Sequence, residues 1–341
     1  MRLLFVDNST KLKTVRDLDN RARGGMVTSL FKVTDYLSQY HFVDVWSDIE
    51  QEGQTKAGTN WIHVPGGKYD VLVANRGTGS GYPSIEARGR IMWTHDLPHN
   101  GFIPNPKTVT AFNCTVFMSG YAERVWRAFY KDIGKSVYIP NGVDKDIFTP
   151  GEKDLGYVIY ASAPNRGLEE LPLIAETISE VVDRDVYFKA FSNLSVLHPN
   201  EGEDEFNYDT IRESIVQLQD PLPQRRFGEE LGRAGLMLLP SDYPEICSNA
   251  VLQALACGTP IITTGGLGAT PEWVKHRKNG MLTTFQKHDY MIHALEIARH
   301  AIEVLQNERL HRKLIKGAIK TKIYTWQEIG NKWLKLINRF T

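Results

Sequence analysis

Short continuous apolar runs alternate with helix-patterned stretches along almost the whole chain, and this alternation constrains the fold more than any other feature. In the first half the runs are "RLLFV", "FVDVWS", "YDVLVAN", "RIMWTHD", "NCTVFMS" and "SVYIPNG". A strand covered on both faces reads as a continuous apolar run, whereas a half-exposed strand alternates. Between the runs, "MVTSLFKVTDYLSQY" and "YAERVWRAFYKDI" carry apolar residues at helical spacing. Strands alternating with helices predict a parallel, doubly wound sheet. The pattern then restarts with "GYVIYAS", "DVYFKAFS", "SIVQLQD", "GLMLLPS", "PIITTG" and "GMLTTF", separated by helices such as "EELPLIAETISEVV", "RRFGEELGRA" and "NAVLQALAC". The polar stretch "DKDIFTPGEKDLG" parts the two halves and predicts a domain boundary near residue 150. "LHPNEGEDEFNYDT" reads as an exposed loop, and the last fifty residues read as almost all helical.

Two such domains suit a chain of 341 residues. Basic and acidic residues balance at 40 each, so no global charge draws the chain to nucleic acid or to an anionic membrane. No apolar run is long enough to span a bilayer, and the N-terminus turns polar too soon for a secretory signal. The three cysteines, Cys114, Cys247 and Cys257, form no CxxC pair and read as reduced thiols. A cytoplasmic protein with at most peripheral membrane contact is expected. The Lys- and Arg-rich stretch "STKLKTVRDLDNRARGG" could grip an anionic acceptor, but Asp17 and Asp19 interrupt its charge, and a solvated loop explains it as well.

Ligands of open parallel sheets bind beyond the carboxyl ends of the strands, so the strand-end loops are where chemistry is sought. The stretch "PEICSNAVLQALACGTPIITT" follows one such end. Ser248 is placed to cap a helix starting near Asn249, and Gly258 to terminate it. The backbone N–H groups around Ser248, Asn249 and Ala250, together with the positive end of the helix, suit a diphosphate. Glu245 repels phosphate but accepts bonds from sugar hydroxyls. Gln253, two turns further on, could reach another polyol such as a ribose. A solvated loop acid and a solvent-facing glutamine fit the same spacing equally well.

The segment "EICSNAVLQALACGTPIITT", followed by "GGLGATPEWVKHRKNGML", resembles the signature of the retaining glycosyltransferases of family 4. The resemblance implies an α/β GT-B fold: two Rossmann-like domains whose parallel sheets face a central cleft. The N-terminal, acceptor-side domain would span residues 1–150 and the nucleotide-sugar domain 151–320. A terminal helix, 321–341, would pack back on the first domain, with Trp326 and Trp333 as packing residues. Glu245 matches the family's first glutamate, which holds sugar hydroxyls. The second glutamate is Gln253 here, which still offers a donor and an acceptor to a diol. "WTHDLP" resembles the segment that brings His95 to the donor sugar, and "RARGGMVTSL" places Gly24 and Gly25 on a ligand-facing loop. "YASAPNRGLEELPLI" resembles the diphosphate-neutralising segment, with Arg166 at its lysine position, while Ala161 and Ser162 stand where an upstream arginine is usual. "IPNGVDKDIFTP" resembles the interdomain segment, although Asn141-Gly142 is also an ordinary turn signal.

The implied activity is transfer of a sugar from a nucleotide diphosphate sugar, UDP- or GDP-linked, to a hydroxyl of a glycan or glycolipid-like acceptor. The implied mechanism is same-face and retaining, with no metal, no dedicated protein nucleophile and no cofactor beyond the donor. Glu245, His95 and Arg166 are its expected catalytic residues, and Gly24, Gly25, Ser248, Asn249, Ala250 and Gln253 its donor-binding residues. The strings Asp17-Leu18-Asp19, Asp144-Lys145-Asp146 and Asp183-Arg184-Asp185 have the DxD form of metal-dependent transferases, but none follows a clear strand end. No serine-hydrolase elbow or HExxH motif occurs. Three rivals remain. One is a catalytically impaired sugar-nucleotide or glycan-binding homologue, suggested by Gln253 and the missing arginine. Another is a nicotinamide-dependent oxidoreductase, for which Gly77, Gly79 and Gly81 are thin support because their spacing is not GxGxxG. The third is a different GT-B enzyme, an epimerase or a phosphorylase.

Overall fold

The computed structural model describes residues 1–12, 14–15, 24–76, 84–98, 106–193, 206–284 and 289–340. The chain divides into two compact units, residues 1–142 with 324–341, and residues 143–323.

The first unit is built on one sheet. Its strands are β1 (Arg2–Leu12), β2 (Phe42–Ile49), β3 (Gly53–Gln54), β4 (Asn60–Ile62), β5 (Tyr69–Asn75), β6 (Ala87–Trp93), β7 (Cys114–Phe117) and β8 (Ser136–Tyr138). They lie in the order β3-β4-β2-β1-β5-β6-β7-β8, parallel except for the β3–β4 pair. Leu3, Leu4, Phe5 and Val6 of β1 are fully buried, which is why that strand reads as a continuous apolar run. Helix α1 (Gly25–Leu37) follows β1, and α2 (Pro106–Thr110) and α3 (Gly120–Phe129) follow later. The pair β3 and β4 is absent from the sequence reading, because strands of two and three residues carry no period.

The second unit carries a fully parallel sheet of β9 (Asp154–Ala161), β10 (Tyr187–Phe191), β11 (Val216–Gln219), β12 (Ala234–Leu239), β13 (Ile261–Thr264) and β14 (Gly280–Thr283). The order is β11-β10-β9-β12-β13-β14. Its helices are α4 (Leu171–Val181), α5 (Asp209–Arg212), α6 (Gln224–Arg233), α7 (Asn249–Ala256), α8 (Thr270–Trp273), α9 (Tyr290–Gln306) and α10 (Glu308–Ile319). In each sheet the strand order reverses beside the first strand: β1 lies between β2 and β5, and β9 between β10 and β12. Such reversals are the usual ligand positions of open α/β sheets.

The divide falls at Gly142–Val143, and not near residue 150. The polar segment is already part of the second unit: Phe148 is 1% exposed and its ring meets Phe227 at 6.0 Å. The Ile147 carbonyl lies so close to Gly228 that a Cβ there would stand 2.5 Å from it. The last helix, α11 (Trp326–Ile337), returns to the first unit, and its Trp333 meets Trp93 edge-on at 4.7 Å and Phe5 at 6.1 Å. Gly142 lies against the start of α11, where a Cβ would stand 2.8 Å from the Trp326 nitrogen. The glycine of "IPNG" therefore serves close packing as well as a turn. Of the exposed loop expected at 197–210, residues 197–205 lie outside the described residues, and Asp209 already opens α5.

Candidate functional site

Two loops of the second unit leave the carboxyl ends of neighbouring strands, residues 162–167 after β9 and 240–248 after β12. Gly167 has φ +85°, and a Cβ there would overlap the Pro240 carbonyl, so only glycine lets the loops approach this closely. The approach brings Arg166 to Glu245. Arg166 Nε donates to Glu245 Oε1 at 2.7 Å, and Arg166 Nη1 donates to Asn165 Oδ1 at 2.7 Å. The guanidinium lies over the Tyr243 ring, 3.5 Å from its centroid, a cation–π contact that holds its plane. The ion-paired side chains are only 17% and 20% exposed, so salt screens them less than a surface pair.

A third loop, after β13, pins the Glu245 backbone. Ala269 N donates to Glu245 O at 2.6 Å. Gly268 has φ +69°, and a Cβ there would stand 2.7 Å from both the nitrogen and the oxygen of Glu245. The two glycines of "GGLG" nearest this loop differ in purpose, because Gly266, at φ +73°, has nothing within 4 Å of a Cβ.

Three residues beyond Glu245, Ser248 caps helix α7 as expected. Ser248 is extended at φ −70° and ψ 117°, and its Oγ accepts from Val251 N at 3.5 Å. Gly258 ends the helix at φ +72°. Asn249 and Ala250 form its first turn, whose N–H groups lack carbonyl partners within a helix and favour anions. Gln253 departs from the solvent-facing alternative. It is 7% exposed, and its Nε2 donates to Gln224 Oε1, 3.3 Å away at the start of α6. The cause is that α7 packs against α6, which the apolar pattern of α7 alone does not reveal.

Behind these loops, Glu170 and His293 form a buried pair. Glu170 Oε2 lies 2.8 Å from His293 Nδ1, and His293 Nε2 lies 2.9 Å from Thr264 Oγ1 at the end of β13. Burial pushes the Glu170 carboxyl above its usual range, against the opposing bond from His293.

Gly24, Gly25 and His95 belong to the first unit. Gly24 is the N-cap of α1, and its carbonyl accepts from Thr28 N at 3.1 Å. Ser29 Oγ lies 2.8 Å from both Gly25 O and Asn141 Oδ1, which ties the buried Asn141 to the glycine-led helix. His95 follows β6, its ring 4.6 Å from that of Trp93. Burial, assisted by the nearby Arg76 charge, pushes its pKa down to about 3, so the imidazole is neutral at physiological pH. Among the described residues its buried Nε2 finds no hydrogen-bond partner. Arg76 pairs with Asp96 at 2.7 Å, and the Asp96 carbonyl accepts from Trp126 Nε1 at 3.0 Å.

Tyr243, Asn165, Gly268 and the Ser29–Asn141 tie escaped the sequence reading. The glycine-rich "GGLG" was a usable signal for Gly268, while an isolated Tyr or Asn carries none. Asp17 and Asp19, and the glycines at 77, 79 and 81, lie outside the described residues. Asp144 of another DxD string uses its Oδ1 to accept from Asp146 N at 3.1 Å. Among the described residues no helix is long and apolar enough to cross a membrane, and no three His, Cys, Asp or Glu side chains gather as a metal site would.

Residues 215–321 match the family described as Glycosyl transferases group 1. A curated relative, chitobiosyldiphosphodolichol beta-mannosyltransferase of Debaryomyces hansenii, is 28% identical over 142 residues, covering 36% of this chain. The match spans 29% of that relative's length. Among solved structures, sucrose-phosphate synthase from Thermosynechococcus elongatus is similar at a TM-score of 0.76 and 14% identity, covering 99% of this chain and 98% of its own. HepE of Anabaena, solved in complex with UDP and glucose, is similar at a TM-score of 0.70 and 13% identity, covering 99% and 100%. The fold is therefore α/β of the GT-B kind, and it carries a group 1 glycosyltransferase segment.

Proposed function

We propose that the chain is a retaining, metal-independent glycosyltransferase of family 4 that moves a sugar from a UDP- or GDP-linked donor to a hydroxyl acceptor. The observation that carries this reading is the Arg166–Glu245 contact of 2.7 Å beside the start of α7. A carboxylate has about four acceptor positions, and the bond from Arg166 takes one. The others remain for sugar hydroxyls, so Glu245 orients the sugar. Arg166 has further N–H donors, and with the first turn of α7 it stabilises charge growing on the leaving diphosphate. Transfer then proceeds on one face of the sugar, the leaving phosphate helping to deprotonate the acceptor. The neutral His95 holds the sugar as a hydrogen-bonding group. Gly24 and Gly25 line the ligand-facing loop, and Gln253 serves the ribose once it leaves Gln224.

HepE, solved in complex with UDP and glucose, supports a nucleotide-sugar donor. The name of the Debaryomyces hansenii relative pairs mannosyl transfer with a diphosphodolichol, which supports a glycolipid-like acceptor. A cytoplasmic location with at most peripheral membrane contact is part of the same reading.

The test is a thermal-shift screen with UDP, GDP, ADP, CDP and dTDP and their common sugars, with and without EDTA. A ligand selective for the native state raises the melting temperature. One nucleotide series should do so, unchanged by EDTA, and its sugar should be hydrolysed slowly by the wild type and not by Glu245→Ala. NMR of the transferred sugar then reads the anomeric outcome. A folded sample that responds to none of the nucleotides sinks the proposal. Binding without turnover would leave a sugar-nucleotide-binding protein.

A further inference from the structure

Helix α10 presents Arg309, Arg312, Lys313 and Lys316 to solvent, with Lys320 at its C-cap. Lys278, from the loop ahead of β14, joins them along an open groove of about 810 Å3. The chain as a whole has 40 basic and 40 acidic residues, so this concentration is local. Glu308 pairs with Arg312 at 2.6 Å. Among the described residues no carboxylate pairs with Lys278, Arg309, Lys313, Lys316 or Lys320. Arg309–Lys313, Arg312–Lys316 and Lys316–Lys320 are like charges at i and i+4, which weaken a helix. Arg309 also lies in the first turn, where the helix dipole disfavours a cation. Lys316 in the last turn and Lys320 at the C-cap suit the helix dipole, and Arg312 has Glu308, but Arg309, Lys313 and Lys278 bring the helix no such gain, so the use of the cluster lies outside the fold.

The groove is also built. Asn279, 3% exposed, donates from Nδ2 to Thr321 Oγ1 at 2.8 Å and to Trp273 O at 2.9 Å, and its Oδ1 accepts from Lys275 N at 2.6 Å. Gly317, a helix-weakening residue, sits so close to the Lys278 carbonyl that a Cβ would overlap it. A buried amide and a glycine thus hold Lys278 in line with the helix. This loop precedes β14, whereas the loops of Arg166 and Glu245 follow β9 and β12 in the same parallel sheet. The groove and the candidate donor loops therefore lie at opposite ends of that sheet.

We infer that this groove binds a multiply charged phosphate group, supplied either as a free oligophosphate or as the headgroup of an anionic lipid. Arginine forks and lysine point charges together suit phosphate oxygens. The test uses the full chain, with Lys313→Glu/Lys316→Glu as the variant and Lys56→Glu/Lys131→Glu as the control. The probes are inorganic tripolyphosphate, read by calorimetry, and phosphatidylcholine vesicles with or without roughly a third phosphatidic acid, read by sedimentation. The wild type should bind tripolyphosphate or the anionic vesicles, less tightly as salt rises. The variant should bind about tenfold or more weakly, while the control and donor hydrolysis keep wild-type values. Tripolyphosphate binding identifies a free phosphate source, and binding to the anionic vesicles alone identifies a lipid. The inference is overturned if neither probe binds or if the folded variant binds like the wild type. Should the reversal variant not fold, Lys313→Gln/Lys316→Gln carries the same comparison.

Discussion

Arg166 and Glu245, 79 residues apart in sequence, meet through a 2.7 Å Nε–Oε1 bond, and that bond joins the loops of two neighbouring parallel strands. Each residue orients the other, so their contributions to activity are coupled. Glu245→Gln and Arg166→Ala should each lower donor turnover by about 10²-fold or more, and the double variant should lose far less than the product of the two. Release of nucleoside diphosphate measures this, and near-wild-type turnover in either single variant removes the pair from the mechanism.

Gly268 and Gly266 share a left-handed backbone but differ in surroundings. Gly266→Ala should cost about 1 kcal/mol, the penalty for that backbone alone. Gly268→Ala should cost more and raise the donor KM, because its Cβ pushes on the Glu245 backbone. Urea unfolding of the two variants side by side isolates the steric part, and equal losses would refute the role given to Gly268.

The depressed pKa of His95, about 3 in the folded chain through burial and Arg76, predicts an acid-side loss of stability. Between that value and the ordinary one near pH 6.5, the unfolded chain holds a proton that the folded chain rejects. Stability is therefore full above about pH 6.5 and falls as the pH drops, by up to about 1.4 kcal/mol per pH unit. Urea unfolding of the wild type and of His95→Gln from pH 4.5 to 7 should show a steeper slope for the wild type. Parallel slopes would mean that His95 is charged or exposed.

Glu170 and His293 are buried together, so removing one partner strands the other. Glu170→Ala and His293→Ala should each cost about 3 kcal/mol, and the double variant should cost less than their sum. Chemical denaturation gives all three values, and strict additivity would show that the two groups act independently.

The sequence by itself determined the order of elements, because strands buried on both faces must be continuously apolar and helices must carry an apolar stripe. The runs from "RLLFV" to "GMLTTF" became β1 to β14 in that order, apart from β3 and β4. Local chemistry also sufficed for the Ser248 cap and the Gly258 stop, since both depend on backbone within a few residues. What only the tertiary structure decided depends on residues far apart in the chain. The divide moved to Gly142–Val143 because Phe148 finds its cover on Phe227. Gln253 turned inward because α6 supplies Gln224. Arg166 found Glu245 because β9 and β12 are neighbours in the sheet and Gly167 admits the Pro240 carbonyl. Periodicity reports which face of an element is buried, while the partner on that face is chosen by strand order and by the few glycines that let backbones touch.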